Sequence, residues 1–150
     1  MQRTCTITRG GSTHDLTCDE QASLLDVVRG RLGVRSASRG CEDGACGACR
    51  VLLNGAVVNA CRVRWAEVPE GATIESFEDL AEDPAAARAV AAFAHERPTR
   101  CSLCVGGLGV TAVSLSRQGH SRDAVAVEEV LQTATCMCTG RGSWRRALMR

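Results

Sequence analysis

Eight of the ten cysteines in this chain fall into two quartets, and no other feature constrains it as strongly. Cys41, Cys46, Cys49 and Cys61 read C-x4-C-x2-C-x11-C, three sulfurs from one short loop and a fourth from a later segment. Cys101, Cys104, Cys136 and Cys138 read C-x2-C-x31-C-x-C. The first pattern is the plant-type 2Fe–2S spacing. A loop that brings three thiolates to one cluster must turn sharply, and Gly40, Gly44 and Gly47 interleave with its cysteines. Glycine reaches backbone angles that a Cβ resists, and it lets amides approach sulfur closely. Zinc also takes four cysteines, but its sites usually pair two short C-x2-C elements rather than leaving a lone distal thiolate. Taken alone, the second quartet stays open between an iron–sulfur site, a zinc site and a redox dithiol at Cys101-x-x-Cys104. Two redox centres in one short chain make an electron conduit.

At 150 residues the chain fits one medium domain or two small ones. A domain of about 75 residues has a marginal core and often needs a metal or crosslink, which one quartet per half supplies. Gln2 to Asp15 is polar and does not read as a secretory leader, and no stretch approaches the length of a membrane span. A cytoplasmic setting with reduced thiols is therefore expected, which favours metal binding over disulfides. The formal net charge is +1, so no bulk pull toward nucleic acid or membrane is expected. With only Phe77, Phe93, Trp65 and Trp144 as aromatics, stacking platforms for bases are nearly absent.

Along the chain, Thr4 to Thr8 and Thr13 to Cys18 read as strands joined at Gly10-Gly11. Ser23 to Asp26 reads as a capping box opening a helix with Leu24 or Leu25, Val28 and Leu32 on its apolar face, closed by Gly33. The Gly40–Cys49 loop follows. Arg50–Leu53, Asn54-Gly55 and Ala56–Ala60 read as a hairpin, and Ala72 to Phe77 as a last strand. Asp83-Pro84 opens an alanine-rich helix running to about Arg97 and stopping at Pro98. Further helices are expected over Cys101 to Gln118, over Ala126 to Thr135, and from Ser143. The boundary between the β-rich and helical halves falls near residues 78–83.

Both quartets together resemble the iron–sulfur subunit of the molybdenum hydroxylases, the xanthine dehydrogenase, carbon monoxide dehydrogenase and aldehyde oxidoreductase type. The resemblance covers nearly the whole chain: Leu24-Leu25, Arg29 to Val34, the run Gly40 to Cys49, Cys61, Thr73-Ile74-Glu75, Phe93 and Cys136-x-Cys138-Thr139-Gly140. It implies an α+β chain, with a β-grasp plant-type ferredoxin domain at residues 1–79 and a four-helix-bundle domain at residues 80–150. Each would hold one 2Fe–2S cluster, the first on Cys41, Cys46, Cys49 and Cys61, the second on Cys101, Cys104, Cys136 and Cys138. It further implies a large partner subunit with molybdenum and a pterin, and a medium subunit with FAD. Electrons would pass from molybdenum through the helical-domain cluster and then the ferredoxin cluster to flavin, with no substrate-converting centre in this chain. Cys138 matches the family cysteine that also lies beside the pterin.

Three positions depart from the family pattern. Arg100 stands where a pterin-contacting Gln is usual, Val105-Gly106-Gly107 replaces Thr-Pro-Gly, and Arg141 replaces Tyr. Arg offers donors and a fixed charge where Gln offers a donor and an acceptor, so Arg100 is expected to face a pterin acceptor atom, a phosphate or a partner carboxylate. Two other readings remain, a stand-alone two-cluster carrier and a zinc-stapled structural protein. Cys5 and Cys18 read as small buried hydrophobes. His14, His95 and His120 read as surface or packing residues, and Arg141, Arg145, Arg146 and Arg150 as a solvated helix face.

Overall fold

The computed structural model describes residues 1–96 and 101–150. Arg97 to Arg100, and with them the expected stop at Pro98 and the expected pterin-facing Arg100, lie outside the described residues. The fold is α+β, a mixed five-stranded sheet followed by helices.

Strands β1 (Gln2–Arg9) and β2 (Ser12–Asp19) pair antiparallel from Gln2↔Asp19 to Arg9↔Ser12, across the expected glycine turn. Helix α1 (Leu24–Gly30) starts where Ser23 accepts a hydrogen bond from the Asp26 amide at 3.1 Å. Its buried face is Leu24, Leu25, Val27 and Val28. Strands β3 (Arg50–Leu53) and β4 (Ala56–Asn59) form the second hairpin. Asn54 and Gly55 both take positive φ there, as a two-residue turn of this hand requires. Strand β5 (Ala72–Glu75) runs parallel to β1 and antiparallel to β3, giving the order β2-β1-β5-β3-β4. Alternate residues Cys5 and Ile7 of β1, with Val51, Ile74 and Trp65, meet α1 in the first core.

β5 ends two residues before the expected Phe77. Ser76 closes a capping box with Asp79, donating its amide to the carboxylate at 2.7 Å, and so opens the short helix α2 (Phe77–Leu80). Asp83 caps α3 (Pro84–Glu96) by accepting from the Ala85 amide at 2.8 Å. Helix α4 (Val105–Arg117) begins four residues later than expected, because Cys101 to Cys104 form a non-helical approach with Cys104 at the cap. Helix α5 (Ala124–Leu131) is capped by Asp123 and stops four residues short of the expected Thr135. Residues 132–140 are thereby left as the loop that carries Cys136 and Cys138. Helix α6 (Arg141–Met149) starts behind Gly140, whose φ is +74°.

Phe93, Leu108, Val127, Leu131 and Trp144 form a second core among α3 to α6, with Phe93 and Trp144 edge to face at 6.3 Å. A third core joins the halves: Leu52 of β3 and Leu80 of α2 pack against Ala85, Ala86, Val110 and Val113. Among the described residues no helix is long and apolar enough to cross a membrane.

Candidate metal centres

The first quartet is gathered by the loop between α1 and β3 together with a single 3-10 turn at Ala60–Arg62. The Ala60 amide donates to the Cys49 carbonyl at 3.3 Å, which brings Cys61 beside Cys49. Within the loop, the Cys46 amide points at Cys41 Sγ and the Ala48 amide at Cys46 Sγ, each at 3.4 Å. Gly44 and Gly47 have φ of +79° and +72°, so the turns that aim these amides inward need glycine. A Cβ on Gly40 would stand 2.9 Å from Cys46 Sγ. Cys46 and Cys49 are buried, while Cys41 and Cys61 are half-exposed.

These thiols crowd one another. Burial, then hydrogen bonding to Cys49 and the charges of Cys49 and Cys41, push the Cys61 thiol up to about 12. Burial likewise raises Cys46. Four such sulfurs ionise together only around positive charge, which bound metal ions supply, leaving their thiol ligands deprotonated. A sulfur-lined cradle with inward amides fits an iron–sulfur group.

The second quartet spans the approach to α4 and the loop after α5. Cys104 and Cys136 are buried against Leu108, Leu131 and Trp144, whereas Cys101 and Cys138 are exposed. Burial pushes the Cys136 thiol up, but the hydroxyl and amide of Thr139 and the amide of Cys138 face it and bring it below the ordinary range. Trp144 Nε1 is buried in this cluster without a hydrogen-bond partner among the described residues, a donor suited to a sulfur acceptor. Among the described residues no three His, Cys, Asp or Glu side chains are placed to hold one metal ion.

The two quartets meet. The Thr135 amide, one residue before Cys136, donates to the Cys46 carbonyl at 3.1 Å. Gly107 of α4 packs directly on the carbonyl of Gly47. Arg50, which follows Cys49, is 3% exposed and reaches Thr111 of α4 and the carbonyls of Val130 and Thr133. None of these joining residues was singled out from sequence for this contact. The signal available for Arg50 was a charged residue opening an otherwise apolar strand directly after a cysteine.

Of the other expectations, Cys5 and Cys18 are buried in the first core. His14 is half-buried, His95 is exposed, and His120 is exposed with Nδ1 3.3 Å from Asp123. In α6, Arg141 pairs with Glu128, and Arg146 and Arg150 with Glu96, on an exposed face.

Residues 7–81 match the family described as a 2Fe-2S iron-sulfur cluster binding domain. The chain is 32% identical over 130 residues to the nicotine 6-hydroxylase small subunit of Paenarthrobacter nicotinovorans, covering 87% of this chain and 78% of that one. It is 34% identical over 136 residues to the aldehyde oxidoreductase of Megalodesulfovibrio gigas, covering 89% of this chain but only 15% of that much longer protein. Among solved structures, quinoline 2-oxidoreductase from Pseudomonas putida 86 superposes with a TM-score of 0.79 at 26% identity, over 99% of this chain and 91% of that chain. Cysteine spacing, a loop built for sulfur ligation, and relatives of matching length agree: the chain belongs to the iron–sulfur, electron-transfer subunits of the molybdenum hydroxylases.

Proposed function

We propose that this chain relays electrons from a molybdenum–pterin centre in a large subunit, through two 2Fe–2S clusters, to FAD in a medium subunit. Residues 1–79 form a β-grasp plant-type ferredoxin domain whose Cys41, Cys46, Cys49 and Cys61 hold the first cluster. Residues 80–150 form a four-helix-bundle domain whose Cys101, Cys104, Cys136 and Cys138 hold the second. When bound, such clusters supply one-electron storage, and this chain's residues fix their separation and surroundings. The observation that carries the reading is the Thr135–Cys46 hydrogen bond, which connects the backbone of one quartet to that of the other.

Exposure supports a direction for the relay. Cys101 and Cys138 open to solvent beside Leu103 and Met137, which are 38% and 68% exposed. Large apolar side chains flanking a redox site suit a partner subunit and favour a complex over a stand-alone carrier. Electrons enter there, with Cys138 toward the pterin, and leave past the half-exposed Cys41 and Cys61.

Metal analysis tests the reading. The purified chain is expected to hold about four iron and four acid-labile sulfide, with two paramagnetic signals on partial reduction. Stoichiometric zinc without sulfide refutes it.

A further inference from the structure

A buried arginine without an acidic partner among the described residues sits where the two quartets meet. Arg50 Nε donates to Asn59 Oδ1 at 3.1 Å, and Nη1 donates to Thr111 Oγ1 at 2.8 Å. Nη2 donates to the Val130 carbonyl at 2.7 Å and to the Thr133 carbonyl and hydroxyl at 3.1 and 3.0 Å. The Trp144 ring lies 5.9 Å from the guanidinium carbon. Every one of these partners is neutral. Among the described residues no carboxylate lies within ion-pair distance of Arg50, although seven other arginine–carboxylate pairs form elsewhere.

A cation taken out of water and left uncompensated is strongly unfavourable, and proteins normally pair or neutralise it. Arginine does not readily neutralise. Arg50 directly follows Cys49, and its Nε lies 3.1 Å from where a Cβ on Gly47 would stand, so the side chain runs along the loop segment that carries Cys46 and Cys49 of the first quartet. A 2Fe–2S cluster held by four thiolates is anionic, and one-electron reduction adds one further negative charge. The added charge forms next to a fixed positive one, in a low-dielectric setting that screens it little.

We propose that Arg50 is an electrostatic tuning residue, the counter-charge of the first cluster, and that it raises that cluster's reduction potential relative to the second. This rests on the reading that Cys41, Cys46, Cys49 and Cys61 hold a 2Fe–2S cluster. Arg50 then biases the electron toward the exit side of the relay. The electron converts one ferric ion of the first cluster to ferrous, and the guanidinium stays protonated and takes no part in bonding. Four of these five hydrogen bonds also fasten β3 to α4, α5 and the loop after α5, so structural and electrostatic roles must be separated by experiment.

Arg50→Lys keeps the charge and loses the fork, and Arg50→Gln keeps some hydrogen bonding and loses the charge. The full chain with both clusters loaded is titrated with dithionite and followed by paramagnetic resonance, with Cys46→Ser and Cys104→Ser assigning the two signals. At the wild-type midpoint, Arg50→Gln is expected to lower the reduced-to-oxidised ratio of the first cluster at least about tenfold, a shift of about 59 mV for one electron. The second cluster is expected to shift less, and Arg50→Lys to stay within about threefold of wild type by the same conversion. Unchanged potentials in Arg50→Gln, or a larger shift at the second cluster, overturn the proposal. So does a tenfold shift in Arg50→Lys, a readout that stands even if the Gln variant fails to load iron. A wild-type chain without two iron–sulfur signals removes the underlying reading, whereas two signals with unmoved potentials remove this inference alone.

Discussion

Replacing Gly107 by alanine tests whether the helical half is seated on the cluster loop as closely as the geometry indicates. A Cβ there would meet the Gly47 carbonyl, with its carbon at 3.0 Å and its oxygen nearer still, and the Ala48 Cα at 3.4 Å. The obstruction is backbone, so no side-chain rotation relieves it, and α4 must lift or the loop must deform. Overpacking of this kind costs about 1–3 kcal/mol, and a backbone clash belongs at the upper end. Alanine returns about 1 kcal/mol of helix propensity at an interior helical position. The net expectation is a loss of about 2 kcal/mol, or roughly 8 °C in melting temperature for a chain of this size. Gly30 is the control: it also lies in a helix, its φ is not positive, and nothing stands within 4 Å of its Cβ position. Gly30→Ala is expected to be neutral or to stabilise by up to about 1 kcal/mol. Thermal melts of both variants with clusters loaded decide the matter. A Gly107→Ala chain as stable as wild type would show that α4 does not rest on the Gly47 carbonyl.

Two further outcomes are expected. Burial pushes the Glu78 carboxyl up, but the Ser36 hydroxyl and amide and the Arg35 amide more than reverse this, holding it at about 2. A carboxylate depressed on folding contributes stability that is present above its unfolded value near 4.5 and is lost as pH falls toward 2. The full shift corresponds to about 3 kcal/mol, and because Glu78 is exposed, screening leaves roughly 1 kcal/mol. Urea unfolding should therefore separate wild type from Glu78→Gln at pH 7 and not at pH 2, and an equal gap at both would refute the assignment. Separately, Cys46→Ser should remove the first cluster and loosen residues 1–77, and Cys104→Ser should remove the second. Iron should fall from about four to about two in each case, and loss of both clusters from either change would refute the division at residues 79 and 80.

The β-rich half was legible because its signals are local. Asn54-Gly55 dictates a two-residue hairpin turn, Ser23 and Asp26 cap α1, and strand alternation buries Cys5 and Ile7. The helix limits around the second quartet were less legible. Mostly apolar character from Leu103 to Leu115, interrupted by Thr111 and Ser114, cannot reveal that Cys101 to Cys104 stay outside the helix. That depends on where the sulfurs must point, a tertiary demand that overrides propensity. Ser76 lies inside the strand expected to run to Phe77, and its contact with Asp79 makes it a cap instead. The joining residues were the least legible. Thr135 contributes a backbone amide, which any residue could supply. Gly107 contributes the absence of a side chain, and its partner lies 60 positions earlier in the chain.

Several of the contacts that join the halves converge on residues 46–50, the segment that also wraps the first quartet. Cys46 offers its carbonyl to Thr135, Gly47 its carbonyl to the surface of Gly107, and Arg50 its guanidinium to α4 and the end of α5. Gly106 and Gly109 add to this seat, since a Cβ on either would strike the Ser36 carbonyl or the Phe77 ring. Three glycines in one 13-residue helix cost about 3 kcal/mol of helix propensity relative to alanine. Burial alone does not demand them, because alanine would pack well in a looser interface. What they achieve is proximity: α4, whose cap is Cys104, is drawn onto the loop that carries Cys46 and Cys49. Electron transfer between centres weakens steeply with separation, and two small units joined by a loose interface would by default move against each other. Glycine contacts at backbone range, a buried arginine and an inter-quartet amide bond hold that distance fixed. On the proposed two-cluster reading, the interface between the halves is part of the redox apparatus, and substitutions there should alter the rate between clusters without touching a ligand.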